Sequence, residues 1–135
     1  MLDKIAEELF SEVRKEKESN ENGLSDSLLS ALNCIFGQSL VYALDLVDKK
    51  SVTKYTCPSG RSTFKVVGSS GDVYTCLLNS NYCTCPSYVY TVLVKRDVLM
   101  CKHVLAMHLS VALDACTARE ISDSDMESLL TESLA

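Results

Sequence analysis

Three thiols and one imidazole arrive in two short pairs: Cys83-Thr84-Cys85, then fifteen residues, then Cys101-Lys102-His103. Zinc takes four Cys or His donors in a closed tetrahedral site, and these residues supply one full set. Side chains at i and i+2 of an extended segment share a face, so Cys83 and Cys85 can grip one ion from a strand. On a helix the same spacing turns the two side chains to nearly opposite sides. Cys101 and His103 are therefore expected to straddle the first turn of a helix. The predicted unit runs strand, metal, connector, metal, helix. Three thiolates around a divalent ion leave a charge of about −1, which suits the free N–H groups and positive dipole end of a helix start. Four protein donors leave no position for water, so the site reads as structural and not hydrolytic.

Competing readings of these residues are weaker. Cysteine is often simply buried. A Cys-x-Cys pair can be redox-active, and Cys101 with His103 could be a nucleophile and its base. Two metal-like pairs within twenty-one residues are hard to explain as packing, however, and no third group is evident to orient the imidazole. Seven cysteines, an odd count, on a chain whose start lacks the basic-then-apolar order of a signal peptide point to a reducing compartment and metal ligation. No apolar run reaches eighteen residues, so no membrane span is expected. No Walker-type glycine loop is present, which excludes an ATPase of that kind.

The remaining candidates read more plainly. His108 is expected to be a satisfied or surface side chain, and Cys34 and Cys116 to lie in the core. Cys57 and Cys76 fall in predicted strands, could approach one another, and read as buried thiols. Tyr82, Tyr88 and Tyr90 crowd the metal segment, more as a local apolar core than as a base-stacking platform. Glu7, Glu8 and Glu12 read as a solvated helix face. Lys102, between two ligands, is expected to be solvated or to assist the site's charge.

Charge divides the chain in three. Residues 1–48 hold four bases against ten acids, residues 49–119 nine bases against three acids, and residues 120–135 five acids and no base. The middle is thus basic between two acidic arms. Either the middle faces phosphate while the arms meet a partner or shield it, or the segments attract one another within one fold. The overall charge of −5 argues against tight DNA binding by the chain alone.

Helical spacing of Leu2, Ile5, Ala6, Leu9, Phe10 and Val13 predicts a helix over 2–18, followed by a polar break at 18–23. A second helix carries Leu24, Leu28, Ala31, Leu32, Ile35 and Phe36 and stops at Gly37. Leu40, Val41, Leu44 and Val47 suggest a third, ending near 48–50, while alternation of Leu40, Tyr42, Leu44 and Leu46 keeps a strand open. Strands are expected at 52–57, 62–67 and 72–78. Residues 88–94 fit either strand or helix. Helices are expected at 102–117 and about 124–134, the last with a capping box at Ser124 and Glu127 and with Met126, Leu129, Leu130 and Leu134 buried. The fold class is α+β: N-terminal helices, a small antiparallel sheet leading into the zinc unit with its ligand-bearing helix, and a C-terminal helix.

Cys-x-Cys, a gap, then Cys-x-His, extended in some members to Cys-x-His-x-x-Ala, is the pattern of the SWIM zinc finger family. The run Cys101-Lys102-His103-Val104-Leu105-Ala106 fills the second half, and Cys83-Thr84-Cys85-Pro86 also resembles the family. SWIM modules occur in transposases, chromatin ATPases and ubiquitin-ligase adaptors, so the motif alone does not assign a role. Ala43-Leu44-Asp45-Leu46-Val47-Asp48, Pro58-Ser59-Gly60-Arg61, Gly68-Ser69-Ser70 and Tyr74-Thr75-Cys76-Leu77 narrow it. With them the chain, from about residue 24 to 117, resembles the small SWIM-domain subunits of animal Shu complexes. The resemblance implies one structural Zn²⁺ on Cys83, Cys85, Cys101 and His103, with Ala106 packing the ligand helix close to the site. The charge pattern divides the chain into an acidic helical arm packed on or near the core (1–48), a basic SWIM zinc-finger domain (49–119) and an acidic C-terminal helix (120–135). The resemblance also implies a non-enzymatic nuclear factor of homologous recombination and DNA repair. Such a factor pairs with a RecA-like paralogue, serves the strand-exchange recombinase directly or through that partner, and meets single-stranded DNA through the complex. Alternatives are an autonomous single-strand binder and a SWIM adaptor in another complex.

Overall fold

The computed structural model describes residues 2–19, 23–94 and 99–134. The first amphipathic stripe forms α1 (Leu2–Ser19). Ala6 and Val13 are buried, with Leu9 and Phe10 packed beside them. Ile5, expected in the stripe, stands 39% exposed at its margin. The polar break at Asn20–Asn22 lies outside the described residues. Beyond it, α2 (Asp26–Phe36) starts at Ser25, whose Oγ accepts the Leu28 N–H at 3.2 Å. Glu16 of α1 accepts both the Ser25 N–H (2.7 Å) and its hydroxyl (2.9 Å), which closes the helical hairpin.

Gly37 ends α2 as predicted, donating to Asn33 O at 2.8 Å with φ +58°. An L side chain rarely adopts that backbone, so the sharp entry into α3 (Gln38–Asp48) depends on glycine. In α3 the period is helical and the strand alternative falls away. Its buried face is Leu40, Ala43, Leu46 and Val47, rotated from the predicted one, and Val41 is exposed.

β1 (Val52–Thr56), β2 (Ser62–Val67), β3 (Val73–Leu77) and β4 (Tyr82–Cys83) form an antiparallel meander. A fifth strand, β5 (Thr117–Glu120), pairs parallel to β1, so the sheet order is β4-β3-β2-β1-β5 and the sheet is mixed. The helix expected over 102–117 is shorter than predicted, and a turn leads from its end into β5. That helix, α4 (Lys102–Ala112), stops at Leu113, where Asp114 takes φ +53° and Ala115 N–H reaches back to Ser110 O at 2.8 Å. Aspartate tolerates the left-handed backbone better than most residues, which makes it an effective stop.

Alternation sorts the sheet's faces. Val52, Phe64, Val66 and Cys76 point into the main core with α4 and the N-terminal helices. Thr63, Lys65 and Thr75 point the other way, and Lys65 Nζ donates to Thr75 Oγ1 at 2.6 Å. α5 (Asp123–Leu134) lies on that second side. Asp123 Oδ1 accepts the Ser59 N–H at 3.0 Å, Met126 is fully buried apart from the main core, and Glu132 is close enough for its charge to act on Lys65. The helix is capped by Ser122, whose Oγ accepts the Asp125 N–H at 3.0 Å, in place of the expected Ser124. Leu129 and Leu130 are half-buried; the expected burial of Leu134 falls outside the described side chains.

Tyr88–Val94 is a π-helical segment, which settles a choice the sequence leaves open. The Tyr90 side chain and residues Lys95–Val98 lie outside the described residues. Among the described residues no helix is long and apolar enough to cross a membrane.

Candidate metal centre

The fold brings the two pairs into one place. Cys83 closes the edge strand β4, and Cys85 follows it after a one-residue bend. Cys101 is the N-cap of α4, with extended backbone (φ −72°, ψ 164°), and His103 lies in its first turn. The predicted order of strand, connector and helix start is what forms, because only an irregular first turn lets Cys101 and His103 face one point.

The donor atoms of Cys83, Cys85, Cys101 and His103 lie within 4.8 Å of one another, and all four residues are buried. Zn–S bonds of ~2.3 Å at tetrahedral angles separate sulfurs by about 3.8 Å, so the cluster has the dimensions of one ion's shell. His103 Nδ1 is 3.8 Å from Cys83 Sγ, so Nδ1 is the nitrogen turned toward the cluster. The donor chemistry fits zinc as well. Cys101 is pushed up above the ordinary thiol value, first by its hydrogen bond with Cys83 and then by that with Cys85, with the Val104 amide pulling the other way. Cys85 is driven down, first by its hydrogen bond with Cys101 and then by that with Cys83. The Cys83–Cys101 bond pulls Cys83 down, yet bonds to Cys76 and Cys85 and burial outweigh it and raise the thiol. Three thiols this close cannot all ionise without a cation among them. A divalent ion lets all three be thiolates. The cluster is suited to one zinc ion, held by four protein donors.

Second-layer contacts hold the ligands in place. Cys83 Sγ accepts the Cys85 N–H at 3.4 Å, and Cys85 Sγ lies 3.4 Å from Ser87 Oγ. The Tyr74 ring leans on the His103 imidazole with centroids 4.5 Å apart. Gly68, in the turn after β2, leaves the space these rings occupy. A Cβ there would stand 3.0 Å from Tyr74 Cε2 and 3.5 Å from His103 Nε2. Tyr82 and Tyr88 meet edge to face at 5.3 Å beside the site, as local apolar core. Lys102 reaches over the Tyr42 ring at 5.3 Å. Ala106 is fully buried one turn beyond His103.

Sequence reasoning does not find Gly68, Tyr74 or Cys76 as neighbours of the site. Each comes from β2–β3, and only strand register carries them there. Cys76 sits opposite Cys83, whereas Cys57 lies past the end of β1 with its thiol 3.2 Å from Ser59 Oγ, so those two strand cysteines do not meet. Cys34 is exposed on the outer side of α2, outside the core where it was expected, whereas Cys116 is half-buried before β5 and packs against the main core. His108 stays away from the metal. Its Nε2 is 2.6 Å from Asn81 Oδ1 and its ring stacks on Phe10 at 4.8 Å. It borders a cavity of about 430 Å³ shared with Glu7, Arg14, Asn79 and Met100.

The SWIM zinc finger family model matches residues 74–111, which span the whole cluster. The chain is 44% identical over 131 residues to zinc finger SWIM domain-containing protein 7 of Mus musculus, covering 97% of this chain and 86% of that protein. It is 42% identical to the protein of the same name from Danio rerio, over 94% of this chain and 90% of the relative. The figure for the Homo sapiens protein is 39%, over 96% and 92%. No solved structure matches the chain.

Proposed function

The chain belongs to the SWIM zinc finger family, among the SWIM domain-containing protein 7 relatives, and on that premise we propose that it is a non-enzymatic accessory of homologous recombination and DNA repair. In this reading it pairs with a RecA-like paralogue in a Shu-type complex. That complex assembles or stabilises the strand-exchange recombinase on single-stranded DNA in the nucleus. One observation carries the proposal: the likeness to these relatives runs nearly end to end, well beyond residues 74–111. A SWIM module borrowed for another task would match around the metal ligands alone.

The physical arrangement is compatible with a platform role. A closed four-donor site offers zinc no open position for a substrate. Its effect is to clamp β4 to the start of α4, so the surface built on them depends on the ion. Val89, Leu93 and Val94 on the π-helical segment are exposed apolar side chains beside that clamp and offer a partner something to cover.

The test is native mass spectrometry of the full chain co-expressed with and without a RecA-like paralogue, before and after chelation. The proposal expects one zinc and a heterodimer that dissociates when the metal is removed. A zinc-loaded monomer that ignores the paralogue and binds single-stranded DNA alone, with steep salt dependence, would shift the assignment to an autonomous nucleic-acid binder.

A further inference from the structure

We propose that Cys76 and Cys83 form a reversible disulfide site, in which a hydroperoxide oxidises the metal ligand Cys83, Cys76 resolves the product, and the ion is released. Strand pairing is the starting point. Cys76 of β3 is the register partner of Cys83 of β4. At the adjoining pair, Thr84 N–H donates to Thr75 O at 3.1 Å, and Thr75 N–H donates to Thr84 Oγ1 at 2.9 Å. Hydrogen-bonded and non-hydrogen-bonded pairs alternate along an antiparallel ladder, so Cys76 and Cys83 occupy a non-hydrogen-bonded pair. There the Cα atoms approach to ~4.5 Å and the side chains project together, within the ~4.4–6.8 Å range that a disulfide spans.

No other cysteine outside the ligand set has this relation to it. Cys34 is exposed on α2, Cys57 faces Ser59 and the Arg61 carbonyl, and Cys116 precedes β5 on the opposite sheet edge from β4. Both members of the pair are buried, Cys76 fully and Cys83 to 2% exposure. Access comes from the shortness of β4, two residues at the edge of the sheet, which can open locally at far less cost than global unfolding.

The chemistry balances with a hydroperoxide as the named oxidant. The Cys83 thiolate attacks the O–O bond of hydrogen peroxide, giving Cys83 sulfenic acid and hydroxide. The Cys76 sulfur then attacks that sulfur, the thiol proton passing to the departing hydroxyl, and water leaves as the S–S bond forms. Two sulfurs are oxidised by two electrons in all and one peroxide is reduced. The ion loses one of its three anionic donors and with it most of its hold. A dithiol reductant and zinc restore the site.

The experiment treats the zinc-loaded full chain with hydrogen peroxide and follows three readouts: zinc by a metallochromic dye, free thiols by titration, and disulfides by non-reducing peptide mapping. The expected result is zinc release together with the loss of two thiols, a Cys76–Cys83 disulfide, and recovery with dithiothreitol and added zinc. Cys76→Ser and Cys76→Val are expected to bind zinc, to lose that disulfide, and to convert Cys83 to sulfinic acid that dithiothreitol does not reverse. A first disulfide joining Cys83 to Cys85 or Cys101 overturns the proposal, as do variants that release and recover zinc like the parent. Should neither variant fold, the peptide map of the parent chain decides between these outcomes by itself.

Discussion

His108 makes acid a sharper challenge to this fold than its surface charge suggests. Burial alone pushes its pKa down to about 4 from an ordinary 6.5, because the ring is held against Phe10 with Nε2 on Asn81. The folded protein therefore keeps His108 neutral, with the proton on Nε2 donated to Asn81 Oδ1. The unfolded chain takes up a proton once the pH drops below about 6.5, and the folded chain does so only near 4. Stability is thus fully present above pH 6.5 and falls as pH drops toward 4. A gap of roughly 2.5 units corresponds to about 3 kcal/mol in all, of which about 2 kcal/mol is lost between pH 7 and 5. That is a large share of the ~5–15 kcal/mol by which domains are usually stable. Arg14 and Glu7 line the same cavity, one of each sign, and both are exposed to solvent, so burial remains the cause of the shift. The chain has no Trp, so urea unfolding is best followed by far-ultraviolet circular dichroism across this pH range with zinc in excess. His108→Gln keeps an N–H donor for Asn81 and removes the titration. Acid also weakens zinc binding, but in both proteins alike, so the difference between their pH slopes isolates His108. Parallel curves for parent and variant would refute the reasoning.

Gly68→Ala places a methyl 3.0 Å from Tyr74 Cε2 and 3.5 Å from His103 Nε2, and the expected cost is ~1–3 kcal/mol with weaker zinc retention, read by competition with a chelator. Cys101→Ser removes the donor at the start of α4 and should abolish stoichiometric zinc. Since structural zinc supplies roughly 10–16 kcal/mol of apparent binding energy, β4 and the first turns of α4 should then lose hydrogen-exchange protection while β1–β2 keep more of theirs. Met126→Ala empties the one fully buried position among the described side chains of α5 and should cost about 2 kcal/mol or more, with faster proteolysis after Glu120 as the readout.

How much of this was legible depended on whether the cause was local. Cys83, Cys85, Cys101 and His103 declare themselves because metal geometry restricts spacing over a few residues. Gly37 was readable as a stop, since a left-handed residue after an apolar helical run has a local meaning. The buried face of α3 was not. Val41 and Ala43 compete on hydropathy alone, and Val41 loses only because α4 packs against the side that carries Ala43. Cys34 looks apolar by residue type, yet its place on α2, away from Leu28, Leu32 and Phe36, leaves it in solvent. β5 is the clearest miss. Thr117-Ala118-Arg119-Glu120 has no alternation of burial to betray it, all four residues being exposed, and it is a strand only because β1 offers an unpaired edge.

From sequence alone, then, the metal set, the α+β class, the first three strands and the extents of α1 and α2 follow, because each is decided by side chains within one or two turns of chain. The tertiary structure alone decided the parallel fifth strand, the placement of α5 on the sheet's second side, and the approach of Gly68, Tyr74 and Cys76 to the ligands. Those are pairings between distant segments. Register settles them, and register depends on the whole buried face at once: a shift by one residue in β3 would turn Cys76 away from Cys83 and carry Thr75 into its place.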